Sequence, residues 1–189
     1  SKEIEDLHTA VCWAQSKNSY LIDKNDVTLI GHSRAGGVTS IVAKESKFVS
    51  KLITWAGVSD FKKRFPKKDR MEEWKEKGVF YVQNGRTKQE MPHFFSFYED
   101  FIENQQRLNI KSAIKQLRKP QLIIHGDNDE YGSVAFPNFI AGSASGHSLA
   151  VIMDRVGHVP HHEDPVKVME IVKSFLAKVD GGSFVTVSS

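Results

Sequence analysis

Cysteine is almost missing: one residue, Cys12, stands in 189. It cannot close an intramolecular disulfide, and no pair of cysteines is spaced to hold zinc, so the expected setting is a reducing, cytoplasmic one. Long apolar runs are missing too, and Ser1 to Val11 is charged where a secretion signal would be apolar, so neither a membrane span nor a leader is expected. Net charge is only +3. Its main local excess, Lys62, Lys63, Arg64, Lys67, Lys68 and Arg70, is interrupted by Phe61 and Phe65. It reads as a solvated face, since no recognisable nucleic-acid-binding fold accompanies it. Internal repeats and low-complexity segments are absent as well.

What is present is enough apolar sequence, 40% of the chain, to bury one core, which implies one globular domain. Ile4, Leu7, Val11 and Ala14 recur three or four apart and predict a helix over Glu3 to Ser16. Val27 to Ile30 is a compact apolar run entered through Asp23 to Asp26 and closed by Gly31, as a buried parallel strand is. A helix should follow from Arg34 to about Lys44. Lys51 to Ala56, Gln121 to Ile124 and Leu149 to Met153 repeat the strand pattern. A poorly marked helix is expected near Val134 to Ala141. A well-marked one is capped by Asp164 with Pro165 at its first position, and its apolar face is Val168, Met169, Val172, Phe175 and Leu176.

Strands alternating with helices predict a three-layer α/β/α fold around a short, mostly parallel sheet of about four strands, with right-handed connections. The stretch from 59 to 119 breaks the alternation. Its aromatic content, from Trp74 to Phe101, predicts a helical insertion or cap within a single domain over residues 1–180. The tail from Gly181 to Ser189 is turn-rich, and its final Val185 to Ser189 looks like the end of an immunoglobulin variable domain, so it is read as an appended linker.

The chemistry-bearing residues stand at strand ends. In Gly31-His32-Ser33-Arg34-Ala35-Gly36-Gly37 a serine lies between a predicted strand and a predicted helix, with small residues two before and two after it. A serine on so tight a turn needs tiny neighbours, and it gains from the positive end of the helix that follows. This segment resembles the nucleophile elbow of the α/β-hydrolase superfamily, with Ala35 in place of the last glycine. Ile123 to Asp129 resembles the segment carrying that family's acid, matched by Asp129 rather than Asp127, and Gly157-His158-Val159-Pro160 resembles the one carrying its base. The order Ser, Asp, His is the family's own.

The resemblance implies a triad of Ser33, Asp129 and His158, with the backbone N–H of Arg34 as an oxyanion donor. It also implies hydrolysis of small carboxylic esters through an acyl-enzyme, with no cofactor. Amides, thioesters and lactones use the same groups. Dehalogenation would need a carboxylate where Ser33 stands. If the insertion acts as a lid, His93, Phe94, Phe97 and Tyr98 are candidates to line an apolar substrate site.

Two metal readings compete; the calcium one fails on its residues, and a surface loop outweighs the zinc one. Asp127 to Gly132 begins like a calcium loop, but Tyr131 replaces an oxygen ligand and Asn138 stands where a bidentate Glu is needed. His158, His161, His162, Glu163 and Asp164 are broken by Pro160 and a helix cap, as in a surface loop.

The resemblance runs from Asp6 to Val179 but matches only the later part of the eight-stranded family fold. With the early strands goes the loop that supplies the second oxyanion N–H. Val27 to Ile30 is then an apolar edge strand, for which a homodimer or higher oligomer is the expected cover. The segment up to Glu130 resembles the dienelactone-hydrolase-like or peptidase-like branch. Leu149 to Pro165 resembles the lipase and dehalogenase branch, as in a recombined chain. The rival functional reading is a catalytically silent binding or assembly module that keeps the triad residues.

Overall fold

The computed structural model describes residues 1–17, 23–24, 26–84, 87–132, 137 and 148–181. Four strands, β1 (Val27–His32), β2 (Val49–Trp55), β5 (Gln121–Gly126) and β6 (Ser148–Met153), form one sheet in the order β1-β2-β5-β6, every pair parallel. The helices are α1 (Lys2–Lys17), α2 (Arg34–Glu45), α3 (Lys68–Lys77), α4 (Ser96–Glu103), α5 (Ile110–Gln116), the short α6 (Pro160–Glu163) and α7 (Pro165–Val179). The chain divides into two compact units, one of residues 2–59 and 110–189, the other of residues 60–109 with Ser1. Among the described residues no helix is long and apolar enough to cross a membrane.

In the sheet unit, strand alternation sends successive side chains to opposite faces. Ile53, Leu122 and Ile124 go to one face, where Val168, Ile171, Val172 and Phe175 of α7 bury them. Thr54, the next residue after Ile53, meets α2 on the other face: a Cβ on Gly36 would stand 2.8 Å from Gly57 Cα and 3.6 Å from Thr54 Cβ. Helices therefore cover both faces, as the alternation predicts. Asp164 caps α7 by accepting from the Lys167 N–H at 3.0 Å, with Pro165 at the first helical position. The expected apolar face needs one correction: Met169 is 45% exposed, and Ile171 packs inward instead. The helix expected near 134–141, residue 137 apart, and the tail beyond Gly181 lie outside the described residues. On the edge strand β1, Ile30 is 48% exposed.

Away from the strand C-termini, Lys51 is buried and holds two carboxylates, Asp26 just before β1 and Asp180 just after α7, the latter at 2.8 Å. Burial pushes the Lys51 ammonium pKa down, but hydrogen bonds to Asp180 and Asp26 outweigh it, and the net shift is upward. Hydrogen bonds from Lys51 and then Ser50 hold Asp26 below the ordinary carboxylate value. A raised lysine stabilises fully below its unfolded value of about 10.4 and loses this as pH rises through the folded value. A depressed carboxylate does so above about 3.9 and loses it as pH falls. The staple therefore operates between roughly pH 4 and pH 10. Because both carboxylates stay half exposed, Lys51→Met is expected to cost only about 1–2 kcal/mol at pH 7. Urea unfolding of both proteins at pH 7 and pH 3 checks it, the gap narrowing at the lower pH.

To the helices expected of the insertion the second unit adds strands. Alongside α3, α4 and a short 3-10 turn (Phe61–Arg64) it contains an antiparallel hairpin of β3 (Val79–Gln83) and β4 (Glu90–Phe94). The strand-forming run Val79-Phe80-Tyr81-Val82 follows Gly78, whose φ of 70° terminates α3 in the left-handed region. Trp74 is the centre of this unit. Its indole N–H donates to the His93 carbonyl at 2.8 Å, and its ring meets Phe80 and Phe95 edge-on at 4.7 and 5.3 Å.

Candidate active site

Ser33 sits between β1 and α2 with φ 53° and ψ −120°, a conformation that an L-residue adopts only at a cost of about 1–3 kcal/mol. Three backbone hydrogen bonds hold it there. The Ser33 N–H donates to the Trp55 carbonyl at 2.9 Å, and the Ser33 carbonyl accepts from Gly36 at 3.0 Å and Val58 at 3.1 Å. Tiny neighbours are needed where expected at Gly31, whose Cβ would stand 2.6 Å from the Ala35 carbonyl oxygen. At the other end the demand falls on Gly36, against Gly57, while Ala35 is exposed. An alanine in place of the motif's last glycine is therefore sterically free.

The three strand-end residues meet. Ser33 Oγ is 2.8 Å from His158 Nε2, and His158 Nδ1 is 3.0 Å from each Asp129 carboxylate oxygen. A carboxylate only accepts, so the proton of a neutral His158 lies on Nδ1 and the lone pair of Nε2 faces the Ser33 hydroxyl. Asp129 is fully buried, and its Oδ1 accepts from the Tyr131 N–H at 2.8 Å and the Gly132 N–H at 3.0 Å. Burial pushes its carboxyl up, but the bonds from His158 and the Tyr131 N–H more than offset this and keep it below the ordinary value. Such an arrangement can hold a negative charge at Asp129, a neutral base at His158 and a hydroxyl in line with it.

Arg34, the first residue of α2, has its backbone N–H next to Ser33 at the positive end of the helix, while its guanidinium pairs with Glu3. The remaining candidates belong to the second unit. The His93 ring stacks on Phe80 at 5.2 Å; Phe97 and Tyr98 pack on Phe65 at 5.6 and 5.1 Å; Phe94 is 60% exposed. Among the described residues no group of three or more His, Cys, Asp or Glu side chains is gathered as a metal would require.

The structure brings four further residues to the site of Ser33, His158 and Asp129, of which the motif reading weighs only His161 and Glu163, and those as metal ligands. His125, 1% exposed on β5, brings Nε2 within 3.0 Å of Asp129 Oδ2. Burial, only partly opposed by the Asp129 charge, lowers its pKa and keeps it neutral. His161 stacks on Trp55 at 4.7 Å and meets the His32 ring edge-on at 4.8 Å. His32 Nε2 reaches the His158 backbone carbonyl at 2.8 Å, and the Glu163 carboxylate accepts from the N–H groups of Gly157 and Val159. In the sequence these residues are distinguished only by lying within five positions of Ser33, Asp129 or His158.

No protein-family model matches the chain, and neither does any curated protein sequence. Solved structures do match. The esterase domain of a Rhodothermus marinus protein superposes with a TM-score of 0.64 at 18% identity, over 93% of this chain and 68% of that one. Est1E from Butyrivibrio proteoclasticus gives a TM-score of 0.66 at 17% identity, over 93% and 68%. Puromycin hydrolase gives 0.64 at 16% identity, over 98% of this chain but only 26% of its own. Over most of its length, the chain has an α/β-hydrolase-like fold.

Proposed function

We propose that the chain is a serine hydrolase that cleaves small carboxylic esters through an acyl-enzyme intermediate. The observation that carries this reading is the relay from Ser33 Oγ through His158 to buried Asp129, with 2.8 and 3.0 Å spacings. Ser33 Oγ attacks the ester carbonyl carbon while its proton passes to His158 Nε2, and the oxyanion accepts from the Arg34 N–H. Asp129 stabilises the imidazolium. Collapse breaks the bond to the alcohol oxygen, which takes the proton from His158. Water then attacks the acyl group with His158 again as base, releasing the acid and restoring Ser33. An esterase domain among the structural neighbours supports the ester reading.

The test is hydrolysis of p-nitrophenyl acetate and butyrate by the purified protein and its Ser33→Ala variant, with folding of both checked by circular dichroism. Turnover should fall by about 10⁴-fold or more in the variant. A fluorophosphonate should label the wild type at Ser33 alone. A folded wild type with neither turnover nor label would favour the rival reading, a silent binding or assembly module.

A further inference from the structure

The relay depends on where the backbone of His158 is held, and that backbone lies in the short stretch from Asp154 to Val159, between β6 and α6. Nothing in the triad itself fixes it. Two side chains outside the triad do so, one at the flanking amides and one at the carbonyl. Glu163, at the end of α6, turns its carboxylate back onto the loop. Oε2 accepts from the Gly157 N–H at 2.8 Å and Oε1 from the Val159 N–H at 3.2 Å, the amides on either side of His158. His32, at the end of β1, approaches the carbonyl of His158 itself at 2.8 Å. A carbonyl only accepts, so His32 carries its proton on Nε2 and donates it.

We infer that Glu163 and His32 are positioning residues that clip the His158 loop in register with the nucleophile, a role that rests on the serine-hydrolase reading above. His32 immediately precedes Ser33, so one short rigid segment sets both the nucleophile and the carbonyl of the residue that must deprotonate it. Glu163 supplies the complementary half. Hydrogen bonds to an ionised carboxylate are stronger than neutral ones, and here one carboxylate spans both flanking amides. Together they fix three consecutive backbone positions, 157 to 159. Displacement of a catalytic group by about 1 Å costs on the order of a hundredfold in rate, so a loosened loop should show in kcat before it shows in substrate binding.

The experiment compares wild type with Glu163→Ala, Glu163→Gln and His32→Phe, each checked for folding by circular dichroism and thermal melting. It reads kcat and KM on p-nitrophenyl acetate, and the His158 Nδ1–H resonance in 15N-labelled protein. Glu163→Ala and His32→Phe should lower kcat about ten- to a hundredfold with KM nearly unchanged, and should shift or broaden the resonance. Glu163→Gln, which retains one acceptor oxygen in the same shape, should fall between Glu163→Ala and wild type. If Glu163→Ala does not fold, Glu163→Gln and His32→Phe carry the same readouts. Folded variants with wild-type kcat and an unchanged resonance, even with a lower melting temperature, would overturn the inference while leaving the hydrolase reading intact. An inactive wild type whose resonance shifts in the variants would overturn the hydrolase reading and uphold the positioning role.

Discussion

Asp129→Asn should lower kcat by about 10³–10⁴-fold and destabilise the protein by about 1–3 kcal/mol. The side chain is fully buried, and donors meet both of its oxygens: the Tyr131 and Gly132 N–H groups at Oδ1, and His158 Nδ1 at both. Asparagine has one acceptor oxygen. If that oxygen serves the two backbone amides, its NH2 faces His158 Nδ1, which must then accept. The proton moves to Nε2, and His158 can no longer receive one from Ser33. The reverse amide orientation turns the NH2 toward the Tyr131 and Gly132 N–H groups and takes away their acceptor instead. The pH dependence follows from the depressed Asp129 pKa. Its contribution to stability is complete above about pH 4 and is lost as pH falls through the folded value, so wild type and variant should converge in acid. Steady-state kinetics with urea unfolding at pH 7 and pH 3 measures both effects. Near-wild-type kcat would remove Asp129 from the relay.

Gly126→Ala should be the most damaging of the small substitutions. Gly126 ends β5 where the His158 loop crosses it, and an added Cβ would lie 1.9 Å from the Val156 carbonyl oxygen and 2.5 Å from that of Gly157. Both obstacles are backbone, and both lie within two residues of His158. The loop is pinned there by the Asn128 N–H donating to the Val156 carbonyl at 3.0 Å. Overpacking of this kind costs about 1–3 kcal/mol, and moving the loop away costs about a hundredfold in rate. Gly157→Ala is the control. Its Cβ would first meet the Glu163 carboxylate at 3.1 Å, a side-chain end that yields by a few tenths of an ångström where backbone cannot, so a loss smaller than that of Gly126→Ala and no larger than that of Glu163→Ala is expected. Melting temperature and kcat measured together on both variants test the contrast. Equal effects would mean that the crossing at Gly126 is not what holds the loop.

The strained turn that carries Ser33 was legible in the sequence because its requirements are local: a strand, a tight turn, a helix, and glycine at Gly31. The strands were legible for a related reason. The central strands β2 and β5 are buried almost throughout, while the edge strands β1 and β6 are partly exposed, yet each reads as a short apolar run ended by a glycine or another turn residue. The hairpin of the second unit was less so, since β4 carries Pro92 opposite Tyr81 and its residues do not alternate cleanly between polar and apolar. Asp129 and His158 could be named from their segments, but their meeting could not be derived from spacing.

By itself the sequence determined the succession of strands and helices, the capped start of α7 and the elbow at Ser33, because each depends on residues within a few positions of one another. Only the tertiary structure decided that His32 donates to a carbonyl 126 residues away, that β5 needs a glycine where the His158 loop crosses it, and that His125 faces Asp129. Contacts of the first and second kind join segments that the sheet order β1-β2-β5-β6 brings to one edge. His125 lies only four residues before Asp129, but it faces that carboxylate because of the turn that ends β5, and no local periodicity encodes that turn.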